Sequence, residues 1–282
     1  MGEWVGICKG RGDDFEPGKE MGVRWVLWML ICLLLFTPVV SGSTALPKGG
    51  GTKGGAMDKL VCVYAGSGAV LARDVEVALE KLEMPYREVG EQDIRDGGLE
   101  DCSLLIIPGG YTAQYVDALG EEGFEQIEEF VAGGGGYIGI CAGAYIAARN
   151  VEVPSRPLGL GIIRIRNERK AGRGLRTIII AKPAHPVVRS SEGKVDIWYQ
   201  NGPMMKTGEG VETLAIYEEG AAAIVCANYG QGRVVIFSPH PEGSLEGEVD
   251  PEKVGTLKLL ENAVAFASKK NYHKGKVRSE HE

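Results

Sequence analysis

Between Leu60 and Gly143 the apolar positions come in short unbroken runs separated by amphipathic stretches. "LVCVYA", Leu60 to Ala65, is continuous and rich in β-branched residues, which predicts a buried strand. "GSGA" turns the chain, and Ser67 is placed to cap the next helix. "VLARDVEVALEKLE" has helical spacing, with Val70, Val75, Val77, Leu79 and Leu82 largely on one side. "YREVG" reads as a second strand, and "CSLLIIPGG" as a third that ends in a Pro-Gly-Gly turn. "FEQIEEFVAGG" predicts a helix with Phe124, Ile127, Phe130 and Val131 on its inner side and glycine at its end. "GYIGI" is a fourth strand that runs into Cys141, with helical residues after it. This alternation, with strands apolar on both faces, predicts an α/β fold with a mostly parallel sheet covered on both sides.

After Val151 the pattern loosens. "GIIRIRN" and "LRTIIIAK" read as strands joined by the basic loop "ERKAGRG". "KVDIWYQNGP", "VETLAIYEE" and the hairpin around "YGQG" come next, then a closing helix from Glu252 to Lys269. We read these as antiparallel additions to one domain spanning residues 58–270, with a charged tail at 271–282.

The N-terminal residues have another pattern. Arg24 precedes "WVLWMLICLLLF", and "TPVVSGSTA" supplies small residues suited to cleavage. Residues 21–44 therefore read as a signal peptide or a membrane anchor, with membrane association through residues 25–43. Residues 1–20 are a leader of no evident role, and 45–57 a Gly-rich linker. Met21 and Met57 each stand before a segment that can begin a protein. Translation that includes the N-terminal segment gives an anchored or secreted protein. A start at Met57 gives a cytoplasmic one.

The net charge of -7 does not favour nucleic acid as a partner. A small-molecule substrate or ligand suits the pattern better. Six cysteines are scattered without a CxxC pair. Cys62, Cys102 and Cys226 lie in apolar runs, where cysteine packs as a small hydrophobe. Neither a disulfide framework nor a metal site is expected, and no cofactor motif is present. "GSG" at 66–68 lacks the full phosphate-binding pattern.

In open α/β sheets the site lies at the carboxyl ends of the strands. Three segments stand there: Pro108-Gly109-Gly110, Cys141, and His240-Pro241-Glu242. Cys141, flanked by Gly139 and Gly143 at a strand-to-helix turn, is either an exposed nucleophile or a small side chain in a tight turn. His240 comes after a strand, and Glu242 two residues on points the same way in an extended segment. Cys141, His240 and Glu242 thus fit the roles of nucleophile, base and orienting carboxylate. Gly110 and Ala142 are placed to give oxyanion-hole N–H groups.

Together, "IIPGGY", "GICAGAY" and "PHPEGS" resemble the class I glutamine amidotransferase-like superfamily, from Leu60 to about Ser244. Within it, "VYAGSGA", "GGYIGICAGAYIAA", "YQNGP" and "PHPE" resemble the N-terminal domain of biotin-protein ligases and its stand-alone relatives. The resemblance implies a flavodoxin-like three-layer sandwich, a Cys-His-Glu triad, and a pocket involving Gly109, Tyr111, Tyr145 and Asn201. It also carries departures. Glutaminases of the superfamily usually place Gln in the turn after the elbow, where this chain has Ala144 and Tyr145. The expectation is a cysteine-dependent hydrolase or amidase that is not a typical glutaminase, or a non-catalytic binding module on the same fold. The ligase's separate catalytic domain has no counterpart in the sequence, so ligation is not expected. Arg164, Arg166, Arg169, Lys170, Arg173 and Arg176 form either a solvated hairpin or a clamp for an anionic group.

Overall fold

The computed structural model describes residues 60–153 and 156–269. The leader, the signal or anchor segment, the linker and the tail lie outside the described residues. Among the described residues no helix is long and apolar enough to cross a membrane.

The strands are β1 (Leu60–Tyr64), β2 (Tyr86–Val89), β3 (Cys102–Ile107), β4 (Gly136–Ile140), β5 (Asn150–Val153), β6 (Arg156–Leu158), β7 (Ile165–Arg169), β8 (Arg173–Ile180), β9 (Lys194–Gln200), β10 (Pro203–Thr207), β11 (Glu212–Tyr217), β12 (Ala222–Tyr229) and β13 (Gly232–Phe237). The helices are α1 (Ala72–Lys81), α2 (Glu91–Arg95), α3 (Thr112–Ala132), α4 (Ala142–Ala147) and α5 (Leu257–Ala267).

One large sheet runs in the order β2-β1-β3-β4-β13-β12-β11-β8-β9, and β5 and β6 pair separately. The pairings from β2 through β13 are parallel. Those from β13 through β9 are antiparallel. The sheet is therefore mixed, and the mostly parallel expectation holds only for its first half. That half contains the strands connected through helices. The second half is built from β-connections, which reverse the chain.

The two-residue strand period sorts the core onto two faces. Val61, Val63, Leu104, Ile106, Ile138 and Phe237 pack on one face with Val75 and Leu79 of α1 and Leu260 and Val264 of α5. Cys62, Tyr64, Leu105, Ile107, Tyr137 and Ile236 pack on the other with Tyr115, Ile127 and Val131 of α3 and Ile146 of α4. This is the three-layer sandwich.

Several boundaries differ from expectation. α3 begins at Thr112, well before Phe124, and breaks at Gly120, where φ is 63°. The break shifts the helical phase, so only the second half shows an unbroken apolar stripe in sequence. α5 begins at Leu257, because Glu252–Gly255 form turns instead. Ser67 does not cap α1. Its backbone N–H donates to Glu91 Oε2 at 3.1 Å. β7 and β8 are not partners in a hairpin: β7 pairs with β10, and β8 with β9 and β11.

The cysteine expectation also needs correction. Cys62 and Cys102 form a disulfide within the sheet. β1 and β3 are parallel neighbours, and a register shift between Leu60 and Val61 places Cys102 beside Cys62 on one face. Cys141 and Cys226 are free and buried.

Candidate active site

Ile140 ends β4 and Ala142 begins α4, so Cys141 alone makes the turn. Its backbone stands at φ 51° and ψ −100°, a conformation unusual for a residue with a side chain. The two flanking glycines explain how the turn is held. A Cβ on Gly143 would overlap the carbonyl oxygen of Ile107, and one on Gly139 would meet the Gly143 carbonyl at 2.5 Å. The Tyr137 hydroxyl donates to that Gly143 carbonyl at 2.8 Å. The Cys141 N–H donates to Phe237 O at 3.0 Å, which ties the elbow to β13. The glycines are required because helix and strand approach closely, and the cysteine side chain is turned out as a result.

β13 is the parallel neighbour of β4, with Phe237 opposite Ile140. The chain leaving β13 therefore reaches the elbow within a few residues. The His240 N–H donates to Trp198 O at 2.8 Å, which fixes the segment against β9. His240 Nδ1 lies 2.8 Å from Glu242 Oε1, and both side chains are fully buried. Burial pulls the imidazole pKa down, but the Glu242 carboxylate, then Cys141, outweigh it and hold the group well above its ordinary value. Burial in turn pushes the Glu242 carboxyl up against the opposing pull of His240. His240 Nε2 and Glu242 Oε2 have no hydrogen-bond partner. The backbone of Gly109 lies against both His240 and Cys141. A Cβ there would stand 2.9 Å from His240 Cε1 and 3.5 Å from Cys141 Cβ. The Cys141 thiol donates to Gln200 O at 3.2 Å.

Cys141, Gly110, Tyr111, Ala142, Tyr145 and Asn201 line one cavity of about 900 Å³. Among the described residues, neither the Gly110 nor the Ala142 N–H is engaged in a hydrogen bond. A Cβ on Gly110 would overlap the carbonyl oxygen of Gly68, so glycine is required for the loop to pass. The Tyr145 hydroxyl donates to Asn201 O at 3.3 Å. Asn201 has φ 55°, and its Oδ1 accepts from the Gly172 N–H at 2.9 Å. Its side chain therefore braces the loop beside the cavity. The structure thus brings six of the nine sequence-derived site residues to the lining of one cavity; Gly109 packs against Cys141 and His240, and Glu242 stands on His240. Leu71 and Glu246 join the cavity wall without a signal in the sequence. Leu71 precedes a helix, and Glu246 lies a few residues after the third motif.

Elsewhere, His185, Glu212 and Cys226 place donor atoms within 4.8 Å of one another. Their groups are already engaged. The Val187 N–H donates to His185 Nδ1 at 3.2 Å, so the neutral ring carries its proton on Nε2, facing Cys226 Sγ at 3.5 Å. Glu212 pairs with Lys182 at 2.7 Å. Burial pushes the Cys226 thiol up to about 12.

A doubly covered α/β sheet with a strained cysteine elbow beside a buried His–Glu pair defines an amidotransferase-like protein. The comparisons place it further: the chain belongs to the class I glutamine amidotransferase-like superfamily, and the family "Biotin-protein ligase, N terminal" matches it at residues 60–167. It is 33% identical over 166 residues to the pyridoxal 5'-phosphate synthase subunit PdxT of Koribacter versatilis (strain Ellin345), covering 58% of this chain and 79% of that one. It is 27% identical over 170 residues to the biotin–protein ligase of Schizosaccharomyces pombe, covering 51% of this chain and 26% of the ligase. The chain thus spans about a quarter of that ligase. A solved glutamine amidotransferase aligns with a TM-score of 0.52 at 26% identity, over 72% of this chain and 98% of that one.

Proposed function

We propose that this domain is a cysteine-dependent hydrolase or amidase acting on a small amide or acyl substrate, and not a typical glutaminase. The observation that carries this is the buried His240–Glu242 pair set beside a strained, cavity-lining Cys141. In the reaction the neutral fraction of His240 takes the thiol proton at Nε2, and Cys141 Sγ attacks the carbonyl carbon. The oxyanion that forms is met by the N–H groups of Gly110 and Ala142. His240 then gives its proton to the leaving amine, and the C–N bond breaks to leave a thioester. Water, with its proton taken by His240, attacks the thioester and releases the acid and the thiol. Glu242 orients the imidazole and favours its charged form. The test is activity-based labelling of the protein with thiol-directed acyl probes. Labelling at Cys141 that falls steeply in His240→Ala supports the mechanism. Labelling equal in wild type and His240→Ala overturns it.

A second reading has its own observation. The thiol donates to Gln200 O, and His240 Nε2 makes no hydrogen bond. That arrangement suits a module that binds a ligand or partner in the same cavity. The relative named a synthase subunit works within an assembly, as its name states, which supports a partner-binding role here as well. Thiol titration separates the two: a Cys141 as inert as Cys226 supports the binder. Retention in a membrane fraction by residues 25–43, or its absence, decides between an anchored or secreted protein and a cytoplasmic one.

A further inference from the structure

The cavity over Cys141 is bordered by more positive than negative charge. Arg169, Lys170, Arg173 and Arg176 stand on or between β7 and β8. Arg173 pairs with Glu246 at 2.8 Å and lies over the Trp198 ring. Lys170 Nζ and Arg176 Nη2 converge on a single oxygen, Glu219 Oε1, each at 2.5 Å. Lys170 is the largest cause holding the Glu219 carboxyl down at about 2. Arg176 also lies over the rings of Tyr199 and Tyr217, at 5.0 and 4.8 Å, and so serves the packing. Of these four cations, three are engaged by two carboxylates, and one is left over. It is Arg169. This residue lines the cavity with Cys141, and among the described residues its side chain has no ion pair or hydrogen bond. Its backbone is nevertheless fixed, because Arg169 ends β7 in register with Pro203 of β10. The acid on the rim, Glu246, is neutralised by Arg173 and leaves Arg169 uncontested.

We propose that this cavity selects acyl or amide substrates carrying a negative charge, a carboxylate or a phosphate, beside the reacting carbonyl, and that Arg169 is the side chain that meets that charge. This rests on the reading of Cys141 as a nucleophile and adds the class of substrate. A planar guanidinium matches either anion through paired N–H donors. Lys170, next in the chain and lining the same cavity, is held by Glu219 and does not compete for the anion. A zwitterionic donor of zero net charge gains less from such a rim than an anion does.

Iodoacetate and iodoacetamide test the idea without a known substrate, because they are similar in size and differ in charge. The alkylation rate at Cys141 is read by peptide mass spectrometry, and each rate is divided by that of a small free thiol. The normalised iodoacetate-to-iodoacetamide ratio is expected to fall roughly three- to ten-fold in Arg169→Gln. Arg169→Lys should retain most of the ratio. Salt at about 1 M, where the screening length is about 3 Å, should collapse it. A ratio equal in wild type and Arg169→Gln overturns the proposal. Binding of succinamate and of inorganic phosphate to the Cys141→Ala protein, measured by calorimetry, is the second arm and distinguishes the two anions. Binding of either that disappears with Arg169→Gln supports the site, and binding of neither overturns it. If Cys141 reacts with neither reagent, it is the nucleophile reading that fails, and the calorimetric arm alone then decides the anion site.

Discussion

Replacing Glu242 by Gln keeps the shape of the side chain and removes its charge. His240 and Glu242 are 2.8 Å apart, and both are fully buried. Removing one member of a buried ion pair leaves the other uncompensated, at a cost of about 3–5 kcal/mol. The pH dependence is more diagnostic than the total. In the wild type the His240 pKa is raised on folding, so the folded pair keeps a proton that the unfolded chain releases above about pH 6.5. The associated stability is full below that value and is lost as the pH rises toward the folded pKa, by about 1.4 kcal/mol per unit. In Glu242→Gln the carboxylate no longer opposes burial, so the folded imidazole is neutral. The unfolded chain then binds the extra proton, and stability falls as the pH drops below about 6.5. The two proteins should therefore slope in opposite directions across neutrality. Each kcal/mol corresponds to about 2–4 °C in a domain of this size. Thermal melts of the two proteins from acid to mildly alkaline buffer measure this. Parallel pH profiles would refute the reasoning, because they would mean that Glu242 does not set the charge of His240.

Four further outcomes are expected. Intact mass under non-reducing conditions should show one disulfide, and Cys62→Ser with Cys102→Ser should lower stability by about 4 kcal/mol by the chain-entropy relation for a separation of 40 residues; variants that melt like the wild type would refute this. Gly143→Ala should abolish thiol labelling and cost more than about 2 kcal/mol, since its Cβ meets backbone that cannot move aside; calorimetric melting checks the cost. Native alkylation near pH 8 should spare Cys226, whose thiol burial pushes up to about 12, and peptide mapping reads this directly. Cys141→Gly should end labelling while raising the melting temperature by roughly 2–4 °C, because glycine relieves the φ of 51°.

The site was more legible in the sequence than the sheet around it. Each catalytic-type motif is local, and in an α/β fold local motifs after strands converge on one sheet edge. Thus "GICAG", "PGGY" and "PHPE" mark the candidate site without any knowledge of strand order. The parallel half of the sheet was legible for a related reason. Strands buried on both faces read as apolar runs, and intervening helices show their own period. What escaped depends on pairing at a distance. The Cys62–Cys102 bond requires β1 and β3 to be neighbours with a particular slip in register. The basic segment looked like a hairpin because β7 and β8 are adjacent in sequence, yet each finds its partners among later strands. Arg169 is one cation among six in sequence. Only the structure shows that Arg173, Arg176 and Lys170 are engaged and Arg169 is not.

The energetic costs at this site bear on the choice between enzyme and binder. Cys141 holds a backbone conformation that costs of order 1–3 kcal/mol in a residue other than glycine. His240 Nε2 is a buried nitrogen without a partner, a further cost of about 1–3 kcal/mol. Cys141 packs in one core face, yet that packing needs neither its positive φ nor an imidazole nitrogen without a partner. Glycine at 141 would remove the first cost, and an apolar residue at 240 the second. A cavity that only bound a ligand would gain nothing from either. On the proposed reading both serve one event, in which the thiol turns from Gln200 O to His240 Nε2. On that reading the arrangement is that of a nucleophile at rest. A melting temperature that rises in Cys141→Gly as labelling disappears is the result that a strained nucleophile requires, and a fall would mean that the elbow stores no strain.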